Sequence, residues 1–408
     1  MDSTFSTGSK SLSRLGNLET LNLADNGFNK SFIKSLSAIK SLKNLNLSWN
    51  WQGLEGSFPA KASLENLEKL DLSSNLLNGS ITTQEWNYMS KLSKLMHIDL
   101  SWNVFEKDIL RFLGGALPDL KSVDLSHNEM QGPLSSKGIL PPCLGRLTSL
   151  RFLDISKNQF SGNVPSFVIA NLTSLEYIDL SYNRFEGLFS FSSLANHSKL
   201  KVVRFKGENY RVEEDNKFVS ESNKLVIEAE NPSWEPSFQL KVLLLQITTI
   251  TKSSGQLFWG PFNLPTDRYQ NLSWLDFSYN NFDGQLQENI GKILNLQYLN
   301  ISQNHFEGNL PSSIGDMSNL EKLDVSNNYF SGEVPTKLVA NCTSLVVLKL
   351  SNNEFHGEIF SKRFQFFNNS LRVLELNNNL FRGTLPDMVS PTGSYLGILD
   401  IRGSGGGF

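Results

Sequence analysis

The sequence predicts an α/β solenoid with a parallel β-sheet on its concave face and few or no long helices. Two observations carry this prediction. A phrase of the form LxxLxLxxN recurs fifteen times along the 408 residues, and most copies follow one another after 24 to 28 residues. Within each copy the leucines alternate with other residues, as in a strand that is buried on one side. A copy of this length cannot bury its own leucines, so neighbouring copies must stack as coils of a right-handed superhelix.

The copies define the expected organisation of the chain. They open at Leu18, Leu42, Leu67, Leu95, Leu120, Leu150, Leu175, Leu200, Leu240, Leu272, Leu296, Leu320, Leu345, Leu371 and Leu396. We therefore expect an irregular lead-in (1–16), a first array of eight repeats (17–205), a divergent acidic insertion (206–239), a second array of seven repeats (240–402) and a flexible tail (403–408). The insertion either shapes a binding surface or hinge, or is a tolerated surface loop.

Two further positions of the repeat have predicted structural roles. Twelve copies carry Asn at position nine, where a buried amide can satisfy backbone groups as the chain leaves the strand. Nine copies carry Phe two residues later, which predicts a stacked aromatic spine.

Composition excludes several classes of function. A formal net charge of -3 gives no electrostatic case for nucleic acid. Cys143 and Cys342 are predicted to be buried thiols rather than a disulfide framework. The first residues lack the apolar stretch of a secretory signal, and no apolar run is long enough to span a bilayer. We expect no cofactor, no metal and no enzymatic activity, because the chain has no catalytic motif and its histidines lack metal-ligand spacing. A lone histidine is expected at the surface.

Many copies continue into phrases such as SGNVP (161–165) and EGNLP (307–311). The complete repeat, LxxLxLxxNxFxGxxP, resembles the plant extracellular leucine-rich repeat. The interrupted array is similar to that of plant receptor-like proteins, which are membrane receptors without a kinase. This resemblance implies a glycoprotein at the extracellular side of the plasma membrane. It would bind a peptide, glycan or protein on its concave face and signal through partner receptor kinases in defence or development. The family's terminal caps, membrane helix and cytoplasmic tail do not occur in this sequence, which predicts a truncated or partial chain.

Two other functions stay open from the sequence. One is a soluble inhibitor of a cell-wall-degrading enzyme, similar to the polygalacturonase-inhibiting proteins. The other is a truncated paralogue that retains only the scaffold. The length of the array and its divergent middle weigh against the inhibitor.

The outward-facing strand positions supply the candidate ligand-binding residues. Position three carries large aromatic residues, position five carries a ladder of carboxylates, and position eight carries further rings along the rim. Exposed aromatics favour a contact surface. Aligned carboxylates repel one another, so they indicate a cationic ligand, a hydrogen-bonding neighbour or simply the repeat pattern. The candidates are Phe152, Tyr177, Trp274 and Tyr298, then Asp124, Asp154 and Asp179, then Trp102, His127, Tyr182 and Tyr279.

Sequons are numerous, and seven of them lie outside the strands. The glycosylation candidates are Asn29, Asn78, Asn171, Asn196, Asn271, Asn341 and Asn368. Two more, at Asn46 and Asn300, fall on strand positions where a glycan would mask the concave face.

Overall fold

A computed structural model describes most of the repeats. The described residues are 12–56, 64–78, 91–133, 144–163, 166–190, 194, 197–206, 225–228, 242–246, 271–280, 282–360, 370–383 and 396–403. The chain forms two compact units, the N-terminal unit (1–200) and the C-terminal unit (201–408). Most of the predicted insertion at 206–239 lies outside the described residues.

Each unit is built on a parallel sheet, here called the inner sheet, in which every strand begins at position three of a repeat. The described part of the N-terminal unit contributes seven inner strands in chain order: Thr20–Asn22, Asn44–Asn46, Lys69–Asp71, His97–Asp99, Ser122–Asp124, Phe152–Asp154 and Tyr177–Asp179. The described part of the C-terminal unit contributes eight: Val202–Lys206, Val242–Gln246, Trp274–Asp276, Tyr298–Asn300, Lys322–Asp324, Val347–Lys349, Val373–Glu375 and Ile398–Asp400. Like positions pair throughout, so Phe152 lies beside Tyr177 and Trp274 beside Tyr298.

Alternation of side chains decides which face of each inner strand is buried. Leu153 and Leu299, at position four, are 2% and 0% exposed, whereas Phe152 and Tyr298 at position three keep part of their surface in solvent. The leucines of successive coils therefore form one core layer within each unit.

The remainder of each coil consists of short elements. The α-helices are Lys30–Leu36, Asp108–Ala116, Ser166–Asn171 and Thr336–Asn341, and the 3-10 helices are Leu144–Arg146, Glu288–Lys292 and Ser312–Asp316. Outer strands in the N-terminal unit are Glu55–Gly56 paired with Leu76–Leu77, and Gln131–Pro133, Gln159–Asn163 and Arg184–Ser190 paired in that order. The C-terminal unit has Leu225–Glu228 and an outer sheet of Asp283–Gln285, His305–Asn309, Tyr329–Glu333, Glu354–Glu358 and Leu380–Arg382. Parallel sheets and short helices confirm the predicted leucine-rich-repeat solenoid.

The asparagine at position nine links each coil to the coil before it. Nδ2 of Asn328 donates to the backbone oxygen of Ile301 in the preceding repeat at 3.0 Å and to that of Val325 in its own repeat at 3.1 Å. Its Oδ1 accepts from the backbone N–H of Phe306 at 3.0 Å. Asn328 is 6% exposed, and the same pattern recurs at Asn158, Asn304 and Asn353. The predicted structural role of this amide is confirmed.

The phenylalanines at position eleven form the predicted spine. In the C-terminal unit, rings of Phe282, Phe306, Phe330, Phe355 and Phe381 stack in sequence with centroids 5.9 to 6.2 Å apart. In the N-terminal unit Phe160 and Phe185 stack at 6.2 Å. In the C-terminal unit, the four rings from Phe306 to Phe381 are fully buried.

Cys342 and His197 are buried side chains that contact backbone oxygens of the preceding coil. Cys342 is a free thiol, 4% exposed, whose Sγ donates to the backbone oxygen of Met317 at 3.4 Å. Burial, followed by the charge of Asp316, raises the pKa of this thiol to about 11. Cys143 lies outside the described residues. His197 is fully buried with Nε2 2.9 Å from the oxygen of Ile169, so the expectation of a surface histidine is wrong there. The histidine replaces an apolar residue and satisfies a carbonyl of the preceding helix.

Replacing Asn328 by Leu should lower the free energy of unfolding by about 3 kcal/mol or more, because several buried backbone groups lose their partner. The measurement is urea unfolding of the variant beside wild type. Asn319→Leu is the matched control, since Asn319 is exposed and makes a single hydrogen bond to Leu294. Equal stability of the two variants would contradict a structural role for Asn328.

Candidate functional site

The concave side of the N-terminal unit contains a cleft of about 550 Å³. It runs across six inner strands, from the first repeat to the sixth. Position three of those strands contributes Thr20, Asn44, Lys69, His97, Ser122 and Phe152, and position five contributes Asn22, Asn46, Asp71, Asp99 and Asp124. Hydroxyl, amide, cationic and anionic groups therefore alternate along it, and an extended polar ligand could bond to them in succession.

Two stacked aromatic pairs lie on the outward-facing side of the inner sheets. Phe152 and Tyr177 stack with ring centroids 4.4 Å apart in the N-terminal unit, and Phe152 also lines the cleft. Trp274 and Tyr298 stack at 3.9 Å in the C-terminal unit, where Trp274 is 39% exposed. Burial, followed by the charge of Asp276, raises the pKa of Tyr298 to about 12. The structure brings the four predicted aromatics together as two pairs in separate units, and one continuous stripe stays a prediction.

Carboxylates at position five end several of the inner strands. Oδ1 of Asp124, Asp154 and Asp179 accepts the backbone N–H of the residue two positions later, at 2.8 to 2.9 Å. Asn22, Asn46 and Asn300 make the same bond, so the pattern needs an oxygen acceptor rather than a charge. The bond is a local turn that stops the strand.

Burial of these carboxylates nevertheless disfavours their charged form. Asp154 is 9% exposed, and burial, followed by the charge of Asp179, raises its pKa to about 7. Burial also raises the pKa of Asp99 to about 6 and that of Asp124 above its ordinary value. Protons or cations near these groups would relieve the cost.

Position eight forms a row along the rim of the inner sheets, here called the rim row. In the N-terminal unit it holds Asp25, Trp49, Ser74, Trp102, His127, Lys157 and Tyr182; in the C-terminal unit it holds Tyr279, Gln303, Asn327, Asn352 and Asn378. Trp102 stacks on His127 at 3.6 Å, and Lys157 Nζ lies 5.5 Å from the ring of Tyr182. Trp102 and Tyr279 are 58% and 44% exposed. Burial, followed by the charge of Lys157, lowers the pKa of His127 to about 4, so the stacked imidazole is neutral near pH 7.

The predicted glycosylation sites are accessible where they are described. Asn29, Asn78, Asn171, Asn271 and Asn341 are exposed, and Asn29 also caps the helix Lys30–Leu36. Asn196 and Asn368 lie outside the described residues. Asn300 is 9% exposed and its side chain is hydrogen-bonded to Ser302 and Tyr298, which leaves no room for a glycan.

Sequence reasoning missed the main part of the cleft. The polar residues Thr20, Asn44, Lys69 and His97 occupy the same strand position as the predicted aromatics, but the predicted contact surface rests on the aromatic members alone. Strand register was the signal that could have found them. Within the described ranges, no group of three or more His, Cys, Asp or Glu side chains could hold a metal ion. No helix in those ranges is long and apolar enough to span a membrane.

Asp154→Asn should make the protein less sensitive to pH. Because the folded-state pKa of Asp154 lies above its ordinary value, wild type loses stability as pH rises from about 4 to about 7 and the buried carboxyl ionises. Asparagine keeps the acceptor for Ser156 without the charge. Melting temperatures at pH 5 and pH 8 measure the effect, with the exposed Asp119→Asn as control. The same pH slope in Asp154→Asn and wild type would contradict it.

A comparison with known families identifies the repeat. The Leucine Rich Repeat model matches residues 149–170, 174–196, 271–293, 295–317, 319–340 and 370–391. Three solved structures share the fold. A crystal structure of a TDR receptor has a TM-score of 0.65 and 27% identity, over 93% of this chain and 67% of that chain. The plant peptide hormone receptor RGFR1 in complex with RGF2 has a TM-score of 0.60 and 21% identity, over 96% and 60%. An internalin of Listeria monocytogenes has a TM-score of 0.62 and 17% identity, over 92% and 95%, so the fold alone does not define a function.

Curated relatives indicate which kind of leucine-rich-repeat protein the chain is similar to. Putative receptor-like protein 8 of Arabidopsis thaliana is 38% identical over 295 residues, which cover 70% of this chain and 26% of that protein. Receptor-like protein 13 of the same plant is 38% identical over 132 residues, which cover 32% of this chain and 12% of that protein. The chain thus spans about a quarter or less of the length of these relatives. The chain is a leucine-rich-repeat protein, and within that class it is related to the plant receptor-like proteins.

Proposed function

We propose that this chain is the ligand-recognising part of a plant receptor-like protein and that it binds an extended peptide or protein segment on its concave side. The observation that carries the proposal is the cleft of the N-terminal unit, which ends at the Phe152–Tyr177 pair. Phe152 belongs to both features, so a ligand lying in the cleft meets an apolar anchor at its end. Buried aromatic anchors flanked by polar groups are the usual source of binding energy at interfaces.

The other predicted contact residues extend this proposed surface. Asp124, Asp154 and Asp179 lie two residues further along the strands than the aromatic row, on the same face. Trp102, His127 and Tyr182 lie on the adjacent rim. Trp274, Tyr298 and Tyr279 form an equivalent set in the C-terminal unit. Glycan ligands remain an outcome of the test, because sugars also stack on exposed rings.

Signalling is proposed from the relatives. Their names describe receptor-like proteins. We propose that this chain belongs to such a receptor and that it signals through partner receptor kinases, as the resemblance implies. Exposed sequons at Asn29, Asn78, Asn171, Asn271 and Asn341 suit an extracellular location at the plasma membrane. Defence and development are both compatible with these features.

The test is capture of a ligand by the immobilised chain from the secreted peptides of plant tissue, followed by mass spectrometry and measurement of Kd. The double variant Phe152→Ala/Tyr177→Ala should bind the captured ligand at least about tenfold more weakly, because the anchor is removed. The matched control is His305→Ala/Tyr329→Ala, which removes a stacked pair of the outer sheet with centroids 5.7 Å apart. If both double variants bind like wild type, the Phe152–Tyr177 pair is not the site.

A further inference from the structure

The rim row has an unusual backbone conformation in every described repeat. Its non-glycine residues have φ between 53° and 57°, which is the left-handed region. Side chains larger than Asn or Asp are disfavoured there, because Cβ approaches the following carbonyl oxygen. A bulky residue in this row therefore carries a conformational cost.

The two units fill this row differently. Three repeats of the C-terminal unit use asparagine, at Asn327, Asn352 and Asn378, which is the residue that the conformation favours. Five repeats of the N-terminal unit use larger side chains instead: Trp49, Trp102, His127, Lys157 and Tyr182. Trp49 and Trp102 are 59% and 58% exposed, so neither contributes mainly to the core. Large exposed side chains kept in a strained conformation point to a contact surface.

Ring contacts fix the orientation of Trp102. Its ring lies nearly parallel to that of His127 in the next repeat, at an angle of 14° and a centroid distance of 3.6 Å. The ring normal therefore runs along the rim row, and the opposite face of Trp102 is turned toward the preceding repeat. That repeat carries only Ser74 in the row, and Trp49 lies one repeat further on.

The backbone holds this arrangement in register. The backbone N–H groups of Trp49, Ser74 and Trp102 each donate to the backbone oxygen of a serine in the next repeat, at 2.9 to 3.0 Å. With strands about 4.8 Å apart, the backbones of Trp49 and Trp102 are separated by about 10 Å along the row. Ser74, whose side chain is small, is the rim-row residue between them, and this gap between the two tryptophans is here called the slot. A backbone spacing of about 10 Å would admit one planar group.

The charge of the neighbouring cleft indicates which kind of planar group would bind there. The neighbouring cleft is lined by Asp71, Asp99 and Asp124 against one lysine, Lys69, and burial lowers the pKa of His97 so that its ring is neutral near pH 7. Asp71 and Asp99 belong to the same repeats as Ser74 and Trp102. A guanidinium is both planar and cationic, and it stacks on tryptophan faces more readily than an ammonium does.

We propose that a basic, arginine-bearing peptide segment binds the N-terminal unit, with one guanidinium stacked on the open face of Trp102 between Trp49 and Trp102. This inference rests on the proposed function and specifies its ligand class. The remaining cationic residues of the segment lie along the carboxylates of the cleft. The rim row supplies the selectivity for arginine, and the carboxylates supply attraction to any cation.

The test uses the full chain with two probes of equal charge, acetylated and amidated tetraarginine and tetralysine, by calorimetry at low ionic strength. Wild type should bind tetraarginine roughly tenfold more tightly than tetralysine. Trp102→Asn and Trp49→Asn should lose most of that difference and leave tetralysine binding unchanged. Ser74→Tyr, which fills the slot, should act in the same way. Gln303→Asn, in the rim row of the C-terminal unit, is the matched control.

Folding of the variants is checked by their melting temperatures. Those of the asparagine variants should equal or exceed that of wild type, because asparagine suits the left-handed conformation. The proposal is overturned if Trp102→Asn binds tetraarginine like wild type, if wild type does not prefer arginine, or if a glucose oligosaccharide occupies Trp102 instead. Trp102→Asn leaves the Phe152–Tyr177 pair intact. A failure here is thus separate from a failure of the Phe152→Ala/Tyr177→Ala test.

Discussion

The structure depends on one buried interaction, that of the asparagine amide at position nine of most repeats. Its two N–H groups and its oxygen satisfy backbone atoms of its own coil and of the preceding coil, as at Asn158 and Asn328. These atoms are buried and would otherwise have no partner where the chain leaves the strand. Leucine packing drives the coils together, but it has no direction. The amide supplies the direction, because it fixes the register of one coil against the next.

Because leucine packing and the asparagine amide together hold the coils in place, the outward-facing positions are free to vary. Position three holds Lys69, Phe152 or Trp274 without any change in the paired strands around it. Position five carries an oxygen acceptor, either Asp or Asn, in most repeats, but it also holds Lys349. Function in such a fold resides in the side chains rather than in the scaffold, which explains how a bacterial internalin and plant receptors share it.

Much of the fold was predictable from the repeat. Alternating leucines placed the inner strands, and the recurrence of Asn and Phe predicted the amide bonds and the stacked rings of Phe306 and Phe330. The site was less predictable, because it depends on quantities that a pattern does not contain. Pairing of Phe152 with Tyr177, the near-complete burial of Asp154 and the left-handed backbone of Trp102 arise from neighbouring coils. Burial of His197 was missed because histidine occurs where its neighbours have an apolar residue.

The thiol of Cys342 illustrates what close stacking does to chemistry. Its sulfur is buried and donates a hydrogen bond to the backbone oxygen of Met317 in the adjacent coil. Its pKa of about 11 keeps the thiol in the unreactive protonated form. Alkylating reagents can modify it only when this part of the C-terminal unit opens. The rate of that modification would therefore report how often two neighbouring coils separate in the otherwise folded protein.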